Sequence, residues 1–166
     1  MEIGTKMQDA INHQIKEELE SAYIYLSMSA YLQSLSLPGF AHWMRIQSQE
    51  ELAHALKFFD HIAERGGRVV LESLNTPPLE FAGPTGVFEK ALEHERYITE
   101  RIHQLYATAM EERDFASLGL LQWFADEQVE EEANAMQIVE TLRRVGDKGQ
   151  ALVMLDFQLG KRGGDD

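Results

Sequence analysis

The positions of proline constrain this chain more than any other feature, because proline breaks a helix wherever it falls in the interior. The four prolines occur at only three places, which are Pro38, the pair Pro77 and Pro78, and Pro84. The segments between them are rich in Glu, Leu, Ala, Met, Gln and Arg, and most of these residues favour helix. The proline pattern therefore predicts an all-α protein built from long helices.

Candidate caps and apolar periodicity divide the chain into five predicted helices. Thr5 and Gln8 have the spacing of a capping box at the start of the first helix. The glycines at 66 and 67 suit the end of the second, and Asp114 is the expected N-cap of the fourth. The predicted helices cover residues 5–34, 40–65, 84–113, 115–145 and 148–160.

The lengths of the connections predict the topology. In a four-helix bundle, short links join antiparallel neighbours, whereas a long link can run the length of the bundle. The segment at residues 68–83 has no helical period and is long for a connection inside a compact domain. We therefore expect one domain over residues 1–166, a four-helix bundle with one long crossover and a short C-terminal fifth helix.

Composition and charge exclude several kinds of protein. The chain carries 15 Lys and Arg against 28 Asp and Glu, and its net charge of −13 disfavours binding to nucleic acid or to anionic membranes. It has no cysteine, which excludes disulfides, iron–sulfur clusters and thiolate zinc sites. No apolar run approaches the roughly 18 residues of a membrane span, and no signal-peptide pattern opens the chain. We expect a soluble, cytoplasmic protein.

Glutamates lie on the apolar stripes of the first and third predicted helices. Residues three, four and seven positions apart share a helix face. By this test Glu95 lies among apolar side chains, whereas Glu93 lies mainly among charged and polar ones. The same comparison selects Glu18 over Glu17 as the inward-facing residue of the first helix. These two positions are candidates for a polar site inside the bundle.

The second and fourth predicted helices offer further acidic residues to the interior. Glu51 and His54 form an E-x-x-H step on one side of the second helix, although spacing alone also allows Glu50 to pair with His54. On the fourth helix Glu131 lies near the centre of the apolar stripe, and periodicity leaves Glu132 open as the alternative. Gln128 also lies near the centre of that stripe.

Four inward glutamates, one from each helix, require a positive partner. Four unpaired carboxylates cannot be buried together, because desolvation and mutual repulsion oppose it. Two divalent cations would balance their charge, and His54 would add a nitrogen ligand. Carboxylates with little imidazole and no sulfur suit Fe(II) or Mn(II). We therefore expect a dinuclear metal centre, although each position taken alone could be an ordinary core or surface residue.

At this point the chain is seen to resemble the ferritins, specifically the haem-free ferritins of bacteria and archaea. The resemblance extends over essentially the whole chain. Its motifs are Glu18-Leu19-Glu20-Ser21 with Tyr25, Glu50-Glu51 with His54, His94-Glu95, and Leu121-Gln122-Trp123 followed by Glu127-Gln128-Val129-Glu130-Glu131. The resemblance implies a ferroxidase that oxidises Fe(II) with O2 or H2O2. It also implies storage of ferric mineral in a hollow homo-oligomeric shell of 24 subunits.

The resemblance further implies roles for individual residues. One iron would be held by Glu18, Glu51 and His54, with Glu51 as the bridge. The second would be held by Glu95 and Glu131, with Gln128 beside it. A third iron position would be formed by Glu50, Glu127 and Glu130, unless these are only a solvated acidic face. Tyr25 would be a hydrogen-bonding partner and electron donor at the diiron site, or else a packing aromatic.

Departures from related families narrow the expectation. Position 52 is Leu, where bacterioferritins have a haem-ligating methionine, so no haem is expected. The fourth helix lacks the second E-x-x-H that bacterioferritins and rubrerythrins have. The chain ends in Gly-Gly-Asp-Asp, whereas DNA-protecting mini-ferritins often carry basic tails, so DNA binding is not expected. Two alternatives to the ferroxidase remain: a non-catalytic shell that nucleates iron on an acidic interior, and an acidic helical scaffold for partner proteins.

Overall fold

A computed structural model describes residues 1–163, and five helices form most of this part of the chain. The helices are α1 (Thr5–Ser34), α2 (Pro38–Glu64), α3 (Gly83–Glu111), α4 (Phe115–Val145) and α5 (Gln150–Leu159). The predicted fold class is confirmed, and the predicted helix bounds agree to within two residues. The Asp-Asp end used in the sequence comparison lies outside the described residues.

The helix ends correct two details of the prediction. Gly4 is the N-cap of α1, and no side chain caps this helix, so the capping box at Thr5 was wrong. The side chain of Gln8 instead accepts a hydrogen bond from the backbone N–H of Arg68 at 2.8 Å. Helix α3 ends two residues early because Arg113 adopts a positive φ of 55°, which a continuing helix cannot contain. Gly66, with φ of 70°, lies just beyond the end of α2 as expected.

The crossover between α2 and α3 follows α1 along most of its length. The contacts are formed in chain order, and they join Arg68 to Asn12, Asn75 to Glu20, Pro78 to Ser27, and Phe81 to Tyr31. Because the crossover leaves α2 at one end of the bundle and reaches α3 at the other, α2 and α3 run parallel. The short links at residues 35–37 and 112–114 make the flanking pairs antiparallel. This is the one-crossover topology.

The apolar core consists of two separate clusters. Along α1, residues 7–15 belong to one cluster and residues 25–32 to the other. On each of the other three long helices, the residues of one cluster are likewise separated from those of the other by a gap, a stretch that belongs to neither cluster. Each gap contains one of the predicted inward glutamates, which are Glu18, Glu51, Glu95 and Glu131. The fold therefore places a polar layer between two apolar halves of the bundle.

Helix α5 packs against the beginning of α2. The backbone N–H of Phe40 donates to Asp156 Oδ1 at 2.9 Å, and Leu152 and Leu155 are buried. The opposite face of α5 leaves large apolar side chains, including Phe157 at 73% exposure, uncovered in the single chain. Within residues 1–163, no helix combines the length and hydropathy needed to cross a membrane.

Candidate metal centre

The polar layer brings together four glutamates from four helices. Their exposed fractions are 0% for Glu18, 2% for Glu51, 2% for Glu95 and 6% for Glu131. Each lies between residues of the two apolar clusters on its own helix. The arrangement agrees with the inward register predicted from periodicity.

Glu18, Glu51 and His54 form the tightest group of ligand atoms. One atom from each lies within 4.8 Å of the other two, and all three side chains are buried. His54 Nδ1 is 3.4 Å from Glu51 Oε2, which decides between Glu50 and Glu51 as the neighbour of this imidazole. The rings of Trp123 and Phe124 contact the imidazole edge-on and restrict its rotation. Two oxygens and one nitrogen at this spacing can hold a divalent cation.

One oxygen of this group has no partner of its own. Gln14 Nε2 donates to Glu18 Oε1 at 2.9 Å, but no donor among residues 1–163 reaches the buried Glu18 Oε2 when both carboxylates are ionised. The Glu18 and Glu51 carboxyls can hydrogen-bond to each other only while one of them is protonated. A buried carboxylate oxygen without a donor is costly, and natural structures seldom contain one. A cation bound between Glu18 and Glu51 would satisfy this atom. The donor set therefore fits the carboxylate-bound iron that the sequence predicts.

The second half of the centre is formed around Glu95. The Tyr25 hydroxyl donates to Glu95 Oε1, and Gln128 Nε2 donates to Glu95 Oε2 at 3.2 Å. Tyr25 is buried, with 1% of its surface exposed, so water does not compete for its hydroxyl. Tyr25 and Gln128, which the resemblance implies at the diiron site, thus both contact the Glu95 carboxylate.

Glu131, and not Glu132, faces the centre. Gln47 Nε2 donates to Glu131 Oε2 at 2.8 Å and to Glu51 Oε1 at 3.1 Å. Glu132 instead accepts from the Thr99 hydroxyl at 2.6 Å, at the surface between α3 and α4. Periodicity left open whether Glu131 or Glu132 faces the centre. The contact between Gln47 of α2 and Glu131 of α4 decides for Glu131.

The electrostatics of the cluster favour protonation in the metal-free chain. Burial and the neighbouring Glu51 carboxylate together raise the pKa of Glu18 to about 8, and burial and the Glu131 carboxylate do the same for Glu51. Burial likewise raises the pKa of Glu95 and Glu131 to about 8, with Glu51 and Glu95 as the main charged neighbours. Each group would ionise fully at neutral pH only with a positive charge beside it.

The residues predicted for a third iron position are only partly assembled. Glu50 and Glu127 line a cavity of about 300 Å³ that also contacts His54. Glu130 is exposed and is not among the residues that line this cavity. Glu50 accepts a hydrogen bond from Arg162 Nη2 at 2.5 Å. A cation at this position would therefore compete with a guanidinium for the Glu50 carboxylate.

Sequence reasoning did not find the glutamines that support the centre. Gln14 and Gln47 are fully buried, and each bonds to the glutamate four residues later on its own helix. The repeated Q-x-x-x-E spacing was a usable signal, because residues four apart share a helix face. Glu17 is also buried, contrary to the expected contrast with Glu18, since Tyr97 of α3 covers it and donates to its Oε2 at 2.8 Å.

The chain is similar to known proteins over most of its length. The family described as "Ferritin-like domain" matches residues 8–145. A bacterial non-heme ferritin of Bacteroides fragilis is 43% identical over 160 residues, which are 96% of this chain and 99% of that relative. A bacterial non-heme ferritin of Staphylococcus epidermidis is 35% identical over 96% of both chains.

Solved structures show the same similarity in three dimensions. The open-pore ferritin from the hyperthermophilic archaeon Archaeoglobus fulgidus superposes with a TM-score of 0.96 at 52% identity, over 97% of this chain and 99% of that one. A closed form of that ferritin, engineered by site-directed mutagenesis, superposes with a TM-score of 0.97 at 51% identity, over 98% and 99% of the two chains. With one glutamate from each of four helices meeting in a bundle of this topology, these similarities show that the chain belongs to the ferritin family.

Proposed function

We propose that this protein stores iron and is a ferroxidase, with Fe(II) as its substrate and O2 or H2O2 as the oxidant. The observation that carries the proposal is the group of Glu18, Glu51 and His54, whose ligand atoms lie within 4.8 Å of one another in a buried layer. The relatives named bacterial non-heme ferritin support the same reading. Bound iron supplies the electrons, since two Fe(II) ions can reduce one O2 to the peroxide level.

The residues of the chain would hold and orient the two ions. Glu18 and His54 would bind the first, Glu95 and Glu131 the second, and Glu51 would lie between them. Gln128 and Tyr25 both donate to Glu95, so they would orient the ligand from outside the ion's own contacts. The hydrophobic clusters on both sides would limit access of water to the layer.

The same carboxylates would also exchange protons during loading. With a pKa of about 8, Glu18 and Glu51 hold protons at neutral pH in the metal-free chain. A ligand must give up its proton to bind a cation, so iron binding is coupled to proton release. This coupling lets the layer stay neutral when empty and become anionic only when cations enter.

A shell of 24 copies is part of the proposal. The outward face of α5 exposes Val153, Met154 and Phe157 by 64%, 67% and 73% in the single chain. A helix this apolar on its outer face is better covered by neighbouring subunits than by water. The proposal also keeps the third iron position expected at Glu50, Glu127 and Glu130. Leu52 offers no ligand to haem, so no haem is part of the proposal.

Aerobic oxidation of Fe(II) by the assembled protein tests the proposal. The rate should exceed that of buffer alone, and Glu51→Ala or His54→Ala should reduce it to the buffer rate. Glu64→Ala is the matched control, because this glutamate is exposed at the end of the same helix. Wild-type protein that collects iron at the buffer rate would support the non-catalytic storage shell instead. Size-exclusion chromatography should place the assembly near 24 times 18.9 kDa.

A further inference from the structure

Arg162 lies in the segment after α5, and its side chain extends back to α2. Its Nη1 donates to Gln47 Oε1 at 2.8 Å, and its Nη2 donates to Glu50 Oε2 at 2.5 Å. The guanidinium also lies over the Trp43 ring, 4.3 Å from the ring centre, and the backbone carbonyl of Arg162 accepts from His42 Nε2 at 2.8 Å. Contacts with four residues of one helix hold this arginine in a single position.

The contact with Arg162 decides which way the Gln47 amide faces. A guanidinium has only donors, so it must meet the amide oxygen of Gln47. The amide nitrogen is then directed at Glu51 Oε1 and Glu131 Oε2, which are 3.1 Å and 2.8 Å away. The reversed amide would place an oxygen against two carboxylates and an NH2 group against the guanidinium. Arg162 therefore excludes an orientation that would repel the ligands.

The same arrangement recurs on α1. Arg101 Nε donates to Gln14 Oε1 at 3.3 Å, and Gln14 Nε2 donates to Glu18 Oε1 at 2.9 Å. In both cases an arginine donates to the amide oxygen of a glutamine and fixes the orientation of that amide. The amide nitrogen then donates to one carboxylate oxygen of the glutamate four residues later. The other oxygen of Glu51 lies beside His54, and the other oxygen of Glu18 is the unpartnered one. Each glutamine thus occupies one oxygen and leaves the second directed into the centre.

Resting on the proposed function, we propose that Arg162 is a positioning residue for the metal centre. It acts through Gln47, which restrains Glu51 and Glu131, the carboxylates supplied by α2 and α4. Hydrogen bonds from outside the ligand shell orient ligands and raise metal affinity. The segment after α5 is therefore linked to the metal centre through a chain of two hydrogen bonds, although it supplies no ligand.

The sign of the effect separates positioning from simple electrostatics. A positive charge near the carboxylates repels a divalent cation, so removing it by charge alone would tighten metal binding. Removal would also take one hydrogen bond away from the Glu50 carboxylate, whose negative charge would then attract the cation more strongly. If Arg162 positions Gln47, the same substitution weakens binding at the centre. The two accounts predict changes in opposite directions.

The experiment is a calorimetric titration of the assembled, iron-free protein with Zn(II). Zn(II) is used because it is not oxidised, so the heat reports binding alone. Arg162→Met should weaken binding at the centre by about 3- to 10-fold, less than or equal to the loss typical of a direct neighbour of a ligand. Gln47→Leu should weaken it at least as much, and the double variant should bind no more weakly than Gln47→Leu alone. Lys161→Met is the matched control, because Lys161 is exposed and its ammonium lies over Phe157.

Distinct outcomes bear on the two proposals. Unchanged or tighter binding in Arg162→Met, or additive losses in the double variant, would overturn the role of Arg162. If Glu51→Ala binds Zn(II) as tightly as wild type does, the proposed metal centre itself is refuted. If Arg162→Met fails to assemble, Arg162→Gln takes its place, since glutamine is neutral and its amide can turn either its oxygen or its nitrogen towards Gln47. Binding as tight as wild type in Arg162→Gln would then also count against positioning.

Discussion

The hydroxyl of Tyr25 on α1 donates a hydrogen bond to the carboxylate of Glu95 on α3. This bond crosses the interface between the α1–α2 pair and the α3–α4 pair, at the level of the polar layer. Both side chains are almost fully buried, and burial together with the Glu95 charge raises the pKa of Tyr25 well above its ordinary value. The hydroxyl therefore keeps its proton at neutral pH and can donate it to Glu95.

Replacing Tyr25 by Phe tests what this hydrogen bond contributes. The metal-free Tyr25→Phe protein should be less stable by about 1 kcal/mol, because Glu95 Oε1 loses a buried donor while the ring keeps its packing. Denaturant unfolding of the metal-free protein measures this difference. Tyr23→Phe is the control, since Tyr23 lies on the same helix and is 47% exposed. Equal losses in the two variants would mean that the Tyr25–Glu95 bond has no special weight.

Two glutamates of α3, separated by one residue, provide a matched test of the metal centre. Glu95→Gln keeps the volume but removes the charge, and it should lower the number of tightly bound divalent ions per chain by about one. Glu93→Gln should leave metal binding unchanged, because Glu93 is exposed and pairs with Lys90 at 2.6 Å. Equilibrium dialysis against Zn(II), with metal analysis of the retained protein, measures both. Retention of full stoichiometry in Glu95→Gln would exclude Glu95 as a ligand.

Helical periodicity placed most of the buried glutamates, because spacing determines which residues share a face of a helix. It separated Glu95 from Glu93, but it left open whether Glu50 or Glu51 adjoins His54, which the contact between His54 and Glu51 decided. The two apolar clusters, with one acidic residue in each gap, follow from the same pattern. The fold and the polar layer could thus be predicted before any contact was known.

Contacts between distant segments could not be predicted from spacing. Glu17 is buried because Tyr97, 80 positions away in the chain, covers it and donates to it. Arg162 reaches Gln47 across 115 positions, after a turn of the chain beyond α5 whose direction no local pattern indicates. The start of α1 shows a similar limit, since Gln8 bonds to the crossover at Arg68 and not within its own helix.

Metal loading should release protons at neutral pH. Glu18, Glu51, Glu95 and Glu131 each have a pKa of about 8 in the metal-free chain, so most of them carry a proton at pH 7. Bound Zn(II) requires the ionised form, and several protons per chain should therefore leave at pH 7. Calorimetry at one pH in buffers of different ionisation enthalpy counts them. The count should fall toward zero above a pH of about 9, where the groups are already ionised. A count near zero at pH 7 would contradict the raised pKa values.

The ion pair between Arg65 and Asp114 should stabilise the bundle in a pH-dependent way. Arg65 donates to both carboxylate oxygens at 2.7 Å, and Ser117 donates as well. Burial raises the pKa of Asp114, but the hydrogen bonds from Arg65 and Ser117 outweigh this and hold it below its ordinary value of 3.8. Asp114→Asn should therefore lower the free energy of unfolding by about 2–3 kcal/mol at pH 7.

The difference between wild type and Asp114→Asn has a defined pH window. Because the folded pKa is the lower one, the stabilisation is complete well above pH 3.8 and is lost as pH falls below it. The two proteins should thus become more alike in stability between pH 5 and the acid limit of folding, as followed by denaturant unfolding. Glu93→Gln, which removes an exposed pair, should match wild type throughout. A constant difference down to pH 3 would show that the charge of Asp114 is not the cause.

The docking of α5 depends on a glycine at the start of α2. A Cβ atom at Gly39 would lie 1.7 Å from the backbone oxygen of Asp156, so no side chain fits while α5 keeps its place. Gly39→Ala should displace α5, which limited proteolysis would detect as faster cleavage between α4 and α5. Size-exclusion chromatography should show loss of the proposed shell, if the apolar face of α5 is needed for assembly.

Gly119→Ala is the control, because Gly119 lies within α4 with no neighbouring atom within 4 Å of a Cβ. That variant should be as stable as wild type or more stable by up to about 1 kcal/mol, since alanine favours helix. Cleavage of Gly39→Ala at the wild-type rate would show that α5 does not rely on this close contact.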